Sequence, residues 1–267
     1  MLNIIVLIKW VPRVDQMKFD PEKKTLVRIG VDSQINPPDL NGIELALQLK
    51  EKHGGKVTVL SMGPPPAKEG LEIAIGMGAD EAILLTDRAL AGSDTLATSY
   101  ALAKAIEKIG QFDLIIAGEE TTDSSTGQVG PGVATFLDIP QVTYVDEVQE
   151  IDLEGRKAIF RRSVDDGHEI VESELPVLIT VGVGINSPRG VTLKGKLRAK
   201  KEGVIKAWSA DDAGINKDCA GFAGSPTAVA KVETVEPPPR KGEIIQGDDP
   251  VKAAKWLIEK MKEIGVI

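Results

Sequence analysis

Apolar residues follow two patterns along the chain, and the change comes near Thr143. Before it, short apolar-rich runs alternate with longer stretches at helical period. The runs Asn3–Ile8, Lys56–Ser61, Glu81–Thr86 and Phe112–Ala117 predict strands buried on both faces. Between them, Asp39 or Asn41 caps a helix to about His53, with Ile43, Ala46, Leu47 and Leu49 inward and Lys50 outward. Ala67–Gly78 predicts a second helix, and a third runs from a Ser93 or Asp94 cap to Ile109. A fourth ends near Asp138, with two possible starts. Ser124 or Ser125 caps it and Pro131 kinks its interior, or Gly130 caps it and Pro131 takes the first helical position. An irregular hairpin-like excursion, Asp20–Val31, and a stiff turn, Asn36–Asp39, precede the first helix. Strands alternating with helices in this way predict an α/β fold with a doubly wound parallel sheet, the first and fourth strands flanking a crevice.

After Thr143 the pattern becomes two-residue alternation. Tyr144–Ile151, Ala158–Val164, Glu169–Glu174 and Val177–Val181 read as antiparallel strands added to the sheet, with turns at Glu154-Gly155 and Asp166-Gly167. Residues 186–203 show no apolar period, and Asp211–Gly224 is rich in Asp, Gly and Ala. A Pro-rich linker from Pro237 leads to an isolated helix, Pro250–Ile264. The apolar side of that helix (Ala254, Trp256, Leu257, Met261) has no core of its own and suits a partner subunit.

The candidate chemistry lies in Gly118–Ala134, which follows a buried strand and therefore leaves the sheet at a carboxyl end, where ligands of such folds bind. Residues 121–128 carry five hydroxyls and one amide side chain, and Gly127, Gly130 and Gly132 let a ligand approach the backbone. A helix start behind such a loop aims free N–H groups at an anion. This composition predicts a phosphate cradle. A Ser/Thr-rich capped turn without a ligand is the simpler alternative. The stretch matches neither the P-loop nor the dinucleotide fingerprint.

Composition narrows the choice. A formal net charge of −8 argues against nucleic acid, although Lys194, Lys196, Arg198, Lys200 and Lys201 form a local basic run. One cysteine, Cys219, excludes an internal disulfide, and His53 and His168 cannot build a metal site alone, so both read as structural. Leu2–Ile8 is too short to span a bilayer and lacks a cleavage site, which predicts a first strand, no membrane span and a cytoplasmic protein. No serine has a histidine near it in sequence, and the acid pairs Glu119-Glu120 and Asp165-Asp166 read as solvated. Any chemistry belongs to a cofactor.

Several segments jointly resemble the beta subunit of electron transfer flavoproteins, over essentially the whole chain. They are Val6–Lys9, Ile35–Pro37 with Glu44–Ala46, Ser61–Pro64, Gly76–Asp80, Asp123–Ala134, Phe136–Asp138, and Asn186–Arg189 through Thr192-Leu193 to the basic run. The resemblance implies an adenine-nucleotide alpha-hydrolase-like α/β domain over 1–225 and an arm over 226–267 that packs on an alpha subunit carrying its own FAD. Ordinary members hold AMP. In the electron-bifurcating subset a second FAD takes a hydride from NADH and sends one electron to ferredoxin or flavodoxin, the other towards an acyl-CoA dehydrogenase or related flavoenzyme. Asp87–Tyr100 and Val129–Pro131 are similar to that subset. By resemblance, adenine and ribose contacts fall at Leu7, Asn36, Pro37 and Met62, with Lys9, Asp39 and Gly63 in the same set. Phosphate and ribityl contacts fall at Asp123, Ser124, Ser125, Thr126, Gly127, Gln128, Val129, Gly130, Pro131 and Ala134. The isoalloxazine is expected beside Arg88, Ala89, Ser93, Asp94 and Thr95. Asn186–Lys201 resembles the loop that docks dehydrogenases, with Leu193 as its apolar anchor. A universal-stress-type nucleotide module shares the sheet and phosphate loop but does not account for residues 186–203 or the terminal helix.

Overall fold

The structure, a computed structural model, describes residues 1–13, 18–20, 25–27, 32–201, 203–228, 242, 244 and 249–267. Contacts divide the chain into a compact unit Met1–Ala230 and a second unit Lys231–Ile267.

The four apolar runs form parallel strands: β1 (Leu2–Ile8) pairs β6 (Gly55–Met62) and β8 (Leu114–Gly118), and β6 pairs β7 (Glu81–Leu85). The intervening numbers belong to short strands, β2 (Trp10–Pro12) with β5 (Ser33–Ile35) and β3 (Lys18–Asp20) with β4 (Thr25–Val27). Of the predicted excursion Asp20–Val31, residues 21–24 and 28–31 lie outside the described residues. Helices α1 (Pro37–His53) and α2 (Lys68–Met77) cover one face, on a core containing Ile4, Val6 and Val59. Helices α3 (Thr95–Ile109) and α4 (Val129–Phe136) cover the other, on Ile5, Leu7 and Ile115. The chain steps from β1 to β6 and β7, then returns to β1's far side as β8. That reversal opens the crevice between β1 and β8.

Beyond Thr143 the prediction needs one correction. β9 (Gln141–Asp152), β10 (Lys157–Val164) and β11 (Gly167–Glu174) form the antiparallel extension, but β12 (Val177–Val181) runs parallel between β8 and β9. Every β12 residue is buried, Thr180 included, as a strand with both faces covered by helices requires. β13 (Ile205–Trp208), absent from the sequence reading, adds a parallel edge strand to β7 and completes a nine-stranded sheet of described strands. The stretch 186–203 also contains a helix, α5 (Leu193–Ala199), capped by Thr192, whose Oγ1 accepts the Gly195 N–H at 3.0 Å.

Two predicted caps are corrected. α1 starts at Pro37, with Pro at the position where its missing N–H costs nothing, and neither Asp39 nor Asn41 caps it. α4 starts at Val129 with Gln128 at the cap position, so Pro131 is third in the first turn, where an N–H has no intrahelical acceptor. The Asp94 cap of α3 stands, its Oδ1 accepting from Leu96 N and Ala97 N.

In the second unit, Asp249 caps α6 (Pro250–Glu263) by accepting from Val251 N and Lys252 N. No residue of α6 is buried. The Pro-rich segment 237–241 lies outside the described residues. Among the described residues no helix is long and apolar enough to cross a membrane.

Candidate functional site

The ends of β1 and β8 are joined by one buried carboxylate. Asp39 Oδ2 accepts the Lys9 N–H at 2.7 Å, while Oδ1 accepts the Gly118 N–H at 3.1 Å and Asn36 Nδ2 at 3.0 Å. Burial pushes the Asp39 carboxyl up to about 7, against the opposite pull of these donors and of Lys9. Asn36, fully buried, extends the connection into the loop: its Nδ2 donates to Glu120 O at 2.8 Å and its Oδ1 accepts the Thr122 N–H at 3.1 Å. The polar atoms of Asn36 and Asp39 are thus engaged in holding the crevice together. Pro37, beside them, is half-buried.

The loop leaves β8 at Gly118 and turns at Thr121, whose carbonyl accepts from Ser125 N at 2.7 Å and Ser124 N at 3.3 Å. Ser125 and Gly127 take positive φ, 45° and 62°. Lys9 Nζ crosses the mouth to Asp123 Oδ1 at 2.8 Å; partial burial disfavours the Asp123 carboxylate, but Lys9 holds it below its usual range. Residues Thr122 to Thr126 stay exposed. Behind them α4 begins without a side-chain cap, and no protein oxygen among the described residues accepts from the N–H of Val129 or Gly130. Exposed hydroxyls around uncapped N–H groups fit a phosphate oxygen.

Two of the three loop glycines are also required by packing. A Cβ at Gly130 would meet Thr180 Cγ2 at 2.8 Å and one at Gly132 would meet Ser99 Oγ at 2.4 Å, so both let α4 approach its neighbours. Ala134 faces the core, as does Leu7. Glu119, read as solvated, is half-buried, and burial followed by the neighbouring Glu120 raises its carboxyl.

The Asp87–Thr95 segment lies at the end of β7 and is largely occupied by its own protein contacts. Ser93 Oγ donates to Leu90 O and accepts the Gly221 N–H; Asp94 Oδ2 accepts from Thr227 N at 3.1 Å and Thr227 Oγ1 at 2.8 Å. Thr95 Oγ1 donates to Gln128 Oε1 at 2.9 Å, which joins the starts of α3 and α4. Arg88 differs. It is exposed, and its guanidinium has no partner among the described residues. Arg88 lines a cavity of about 520 Å³ with Met62, Gly63, Leu85 and Asp87, at the ends of β6 and β7. Ala89, half-buried, donates its N–H to Asp87 Oδ1 at 3.0 Å.

Leu193 stands apart from this edge. It is 77% exposed at the start of α5, and Leu197, which the sequence reading missed, is 61% exposed one turn on. The segment before them is fastened to α1. Asn41 Nδ2 donates to Asn186 O at 2.8 Å, and Arg189 Nε and Nη2 donate to the buried Glu44 carboxylate at 2.8 and 3.0 Å. Burial opposes the charge on Glu44, yet Arg189 keeps its carboxyl below the usual range. Asn41, Glu44, Gln48 and Glu51 share one helix face at helical spacing, a signal that residues 186–189 alone do not show.

His53 ends α1, and His168 lies in β11 with Nε2 3.0 Å from Asp146 Oδ2. No group of His, Cys, Asp and Glu among the described residues could hold a metal ion.

A family model described as "Electron transfer flavoprotein domain" matches residues 23–213. "Electron transfer flavoprotein subunit beta" of Thermoanaerobacterium thermosaccharolyticum is 47% identical over 266 residues, covering 100% of both chains. The protein of the same description from Clostridium acetobutylicum is 46% identical over 98% of both. "Caffeyl-CoA reductase-Etf complex subunit CarD" of Acetobacterium woodii is 40% identical over 100% of both.

Proposed function

The chain belongs to the electron transfer flavoprotein beta-subunit family, and from that membership we propose that it binds FAD at the β1–β8 crevice in a heterodimer with an alpha subunit, accepts a hydride from NADH and divides the electron pair. The receivers are ferredoxin or flavodoxin and, by way of the alpha-subunit FAD, an acyl-CoA dehydrogenase-like flavoenzyme. The likeness to a subunit of a caffeyl-CoA reductase complex supports a CoA-thioester reductase or dehydrogenase as one partner. The bound FAD supplies the hydride-accepting and one-electron chemistry.

One observation favours FAD over AMP. The cavity of about 520 Å³ runs from Met62 and Gly63 to the unpartnered Arg88. An AMP site needs an adenine wall and a phosphate loop; it does not need a free guanidinium at a second strand end. In this reading the N–H groups of Val129 and Gly130 and the hydroxyls of Ser124, Ser125 and Thr126 bind the pyrophosphate. Asn36 and Asp39 hold that loop against β1, and Arg88 stabilises negative charge on the reduced ring system. The side chains of Ser93, Asp94 and Thr95 already have protein partners, and of the three only Ser93 is bonded to the Arg88–Leu90 turn.

Releasing and quantifying the adenine compounds of the intact heterodimer tests the proposal. Two FAD per heterodimer, with bleaching by NADH, is the expected result. One FAD plus one AMP, unbleached by NADH, would leave an ordinary electron carrier.

A further inference from the structure

We infer that Tyr144 is a further binding residue of the phosphate loop, its hydroxyl hydrogen-bonding the phosphate of the ligand held by residues 118–130. The inference rests on the nucleotide reading above.

Tyr144 lies in β9 with a φ of 57°, a left-handed conformation that bulky side chains rarely take. The cause is a bulge. Val142 pairs with Ile179 and Val145 with Val181, so Thr143 and Tyr144 together oppose Thr180 alone. Thr180, itself buried, accepts the Tyr144 N–H on Oγ1 at 3.0 Å, and its Cγ2 is the atom that a side chain at Gly130 would strike. One threonine therefore sets the bulge and the start of α4 in register.

The bulge sends the Tyr144 ring out of the core. The residue is 50% exposed, and its hydroxyl has no hydrogen-bond partner among the described residues. A side chain at Gly127 would come within 3.9 Å of that hydroxyl. Gly127 directly precedes the cap position of α4, where the N–H groups of Val129 and Gly130 also lack acceptors. A neutral O–H donor beside Gly127 adds a hydrogen bond to an anion held by this loop without adding charge. If the bulge only bent the sheet, glycine or asparagine would adopt its backbone with less strain, and neither supplies this hydroxyl.

The test titrates the nucleotide-depleted heterodimer with AMP and with FAD. Tyr144→Phe keeps the ring and the backbone demand, and should bind about tenfold more weakly with an unchanged melting temperature for the depleted protein. Tyr144→Asn relieves the backbone, and should be at least as thermostable while binding as weakly. Equal affinity in Tyr144→Phe would overturn the role, as would a loss of binding that only tracks lost thermal stability. Wild-type protein that binds neither nucleotide would overturn the site reading and the tyrosine's role together.

Discussion

A methyl group at Gly118 would lie 2.2 Å from Oδ1 of Asp39, the oxygen that accepts the Gly118 N–H at 3.1 Å. The two residues are 79 positions apart, and their contact closes β8 onto the first turn of α1 beneath the candidate phosphate loop. It requires a glycine at the strand end and a short carboxylate on the helix.

Gly118→Ala should therefore destabilise the protein by about 2 kcal/mol, because the added carbon must displace Asp39 or Pro38 in a packed core. Urea unfolding measures the loss. A variant as stable as the wild type would show that the crevice tolerates opening.

The Asp39 carboxyl gives stability an inverted pH dependence. The unfolded group titrates near 3.8 and the folded one at about 7, so between these values the native state holds a proton that the unfolded chain has released. Stability from this group is greatest below about pH 4, falls as pH rises, and levels off above about pH 7, with a total of at most roughly 4 kcal/mol. Glu44 acts in the other direction. Its lowered carboxyl adds stability that is lost as pH falls through its folded value, at the acid end. Urea unfolding across pH 4 to 8 should show the decline in the wild type and not in Asp39→Asn.

Arg189→Met leaves the Glu44 carboxylate buried without its counter-charge. The expected cost is about 2–3 kcal/mol, below that of a fully buried pair because a third of the Arg189 side chain meets water. Proteolysis within residues 186–203 should accelerate, since the segment loses its attachment to α1. A variant that keeps wild-type stability and protease resistance would assign the attachment to the Asn41–Asn186 pair alone.

Leu193→Ala should slow electron delivery to a partner dehydrogenase without changing flavin content, since burying one leucine in an interface is worth roughly 1.5–3 kcal/mol. Leu197→Ala should add to the effect, as both side chains are exposed on α5. Stopped-flow transfer rates and flavin absorbance separate the outcomes. Lost flavin would mark this helix as structural.

Removing residues 231–267 should leave the sheet intact, because Met1–Ala230 is a compact unit by itself. Co-purification with an alpha subunit should weaken, because the exposed apolar side chains Val251, Leu257 and Ile258 of α6 are removed with it. Unchanged co-purification would refute the role of the arm.

The sequence by itself determined the layers and the edge that carries the candidate site. Ile4–Ile8 and Leu114–Ala117 are unbroken apolar runs, legible because both sheet faces are covered. The loop after Ala117 could be placed at a carboxyl end for the same local reason. Asp94 was legible as a cap because capping joins residues two or three apart. The family pattern, too, was carried by residues that stand together in short segments. Tertiary structure decided what depended on distant partners. Asp39 reads locally as a cap, and only the approach of Gly118 makes it a clasp. Gly130 and Gly132 read locally as ligand access, and only Thr180 and Ser99 show that packing requires them as well. β12 reads as part of the appended antiparallel strands until β8 and β9 enclose it, and Tyr144 reads as an ordinary strand residue until Thr180 imposes the bulge. The reason is common to all of these. Periodicity and capping are interactions within a few residues, whereas a buried carboxylate, a close helix approach and a strand register are set by groups that folding alone brings together.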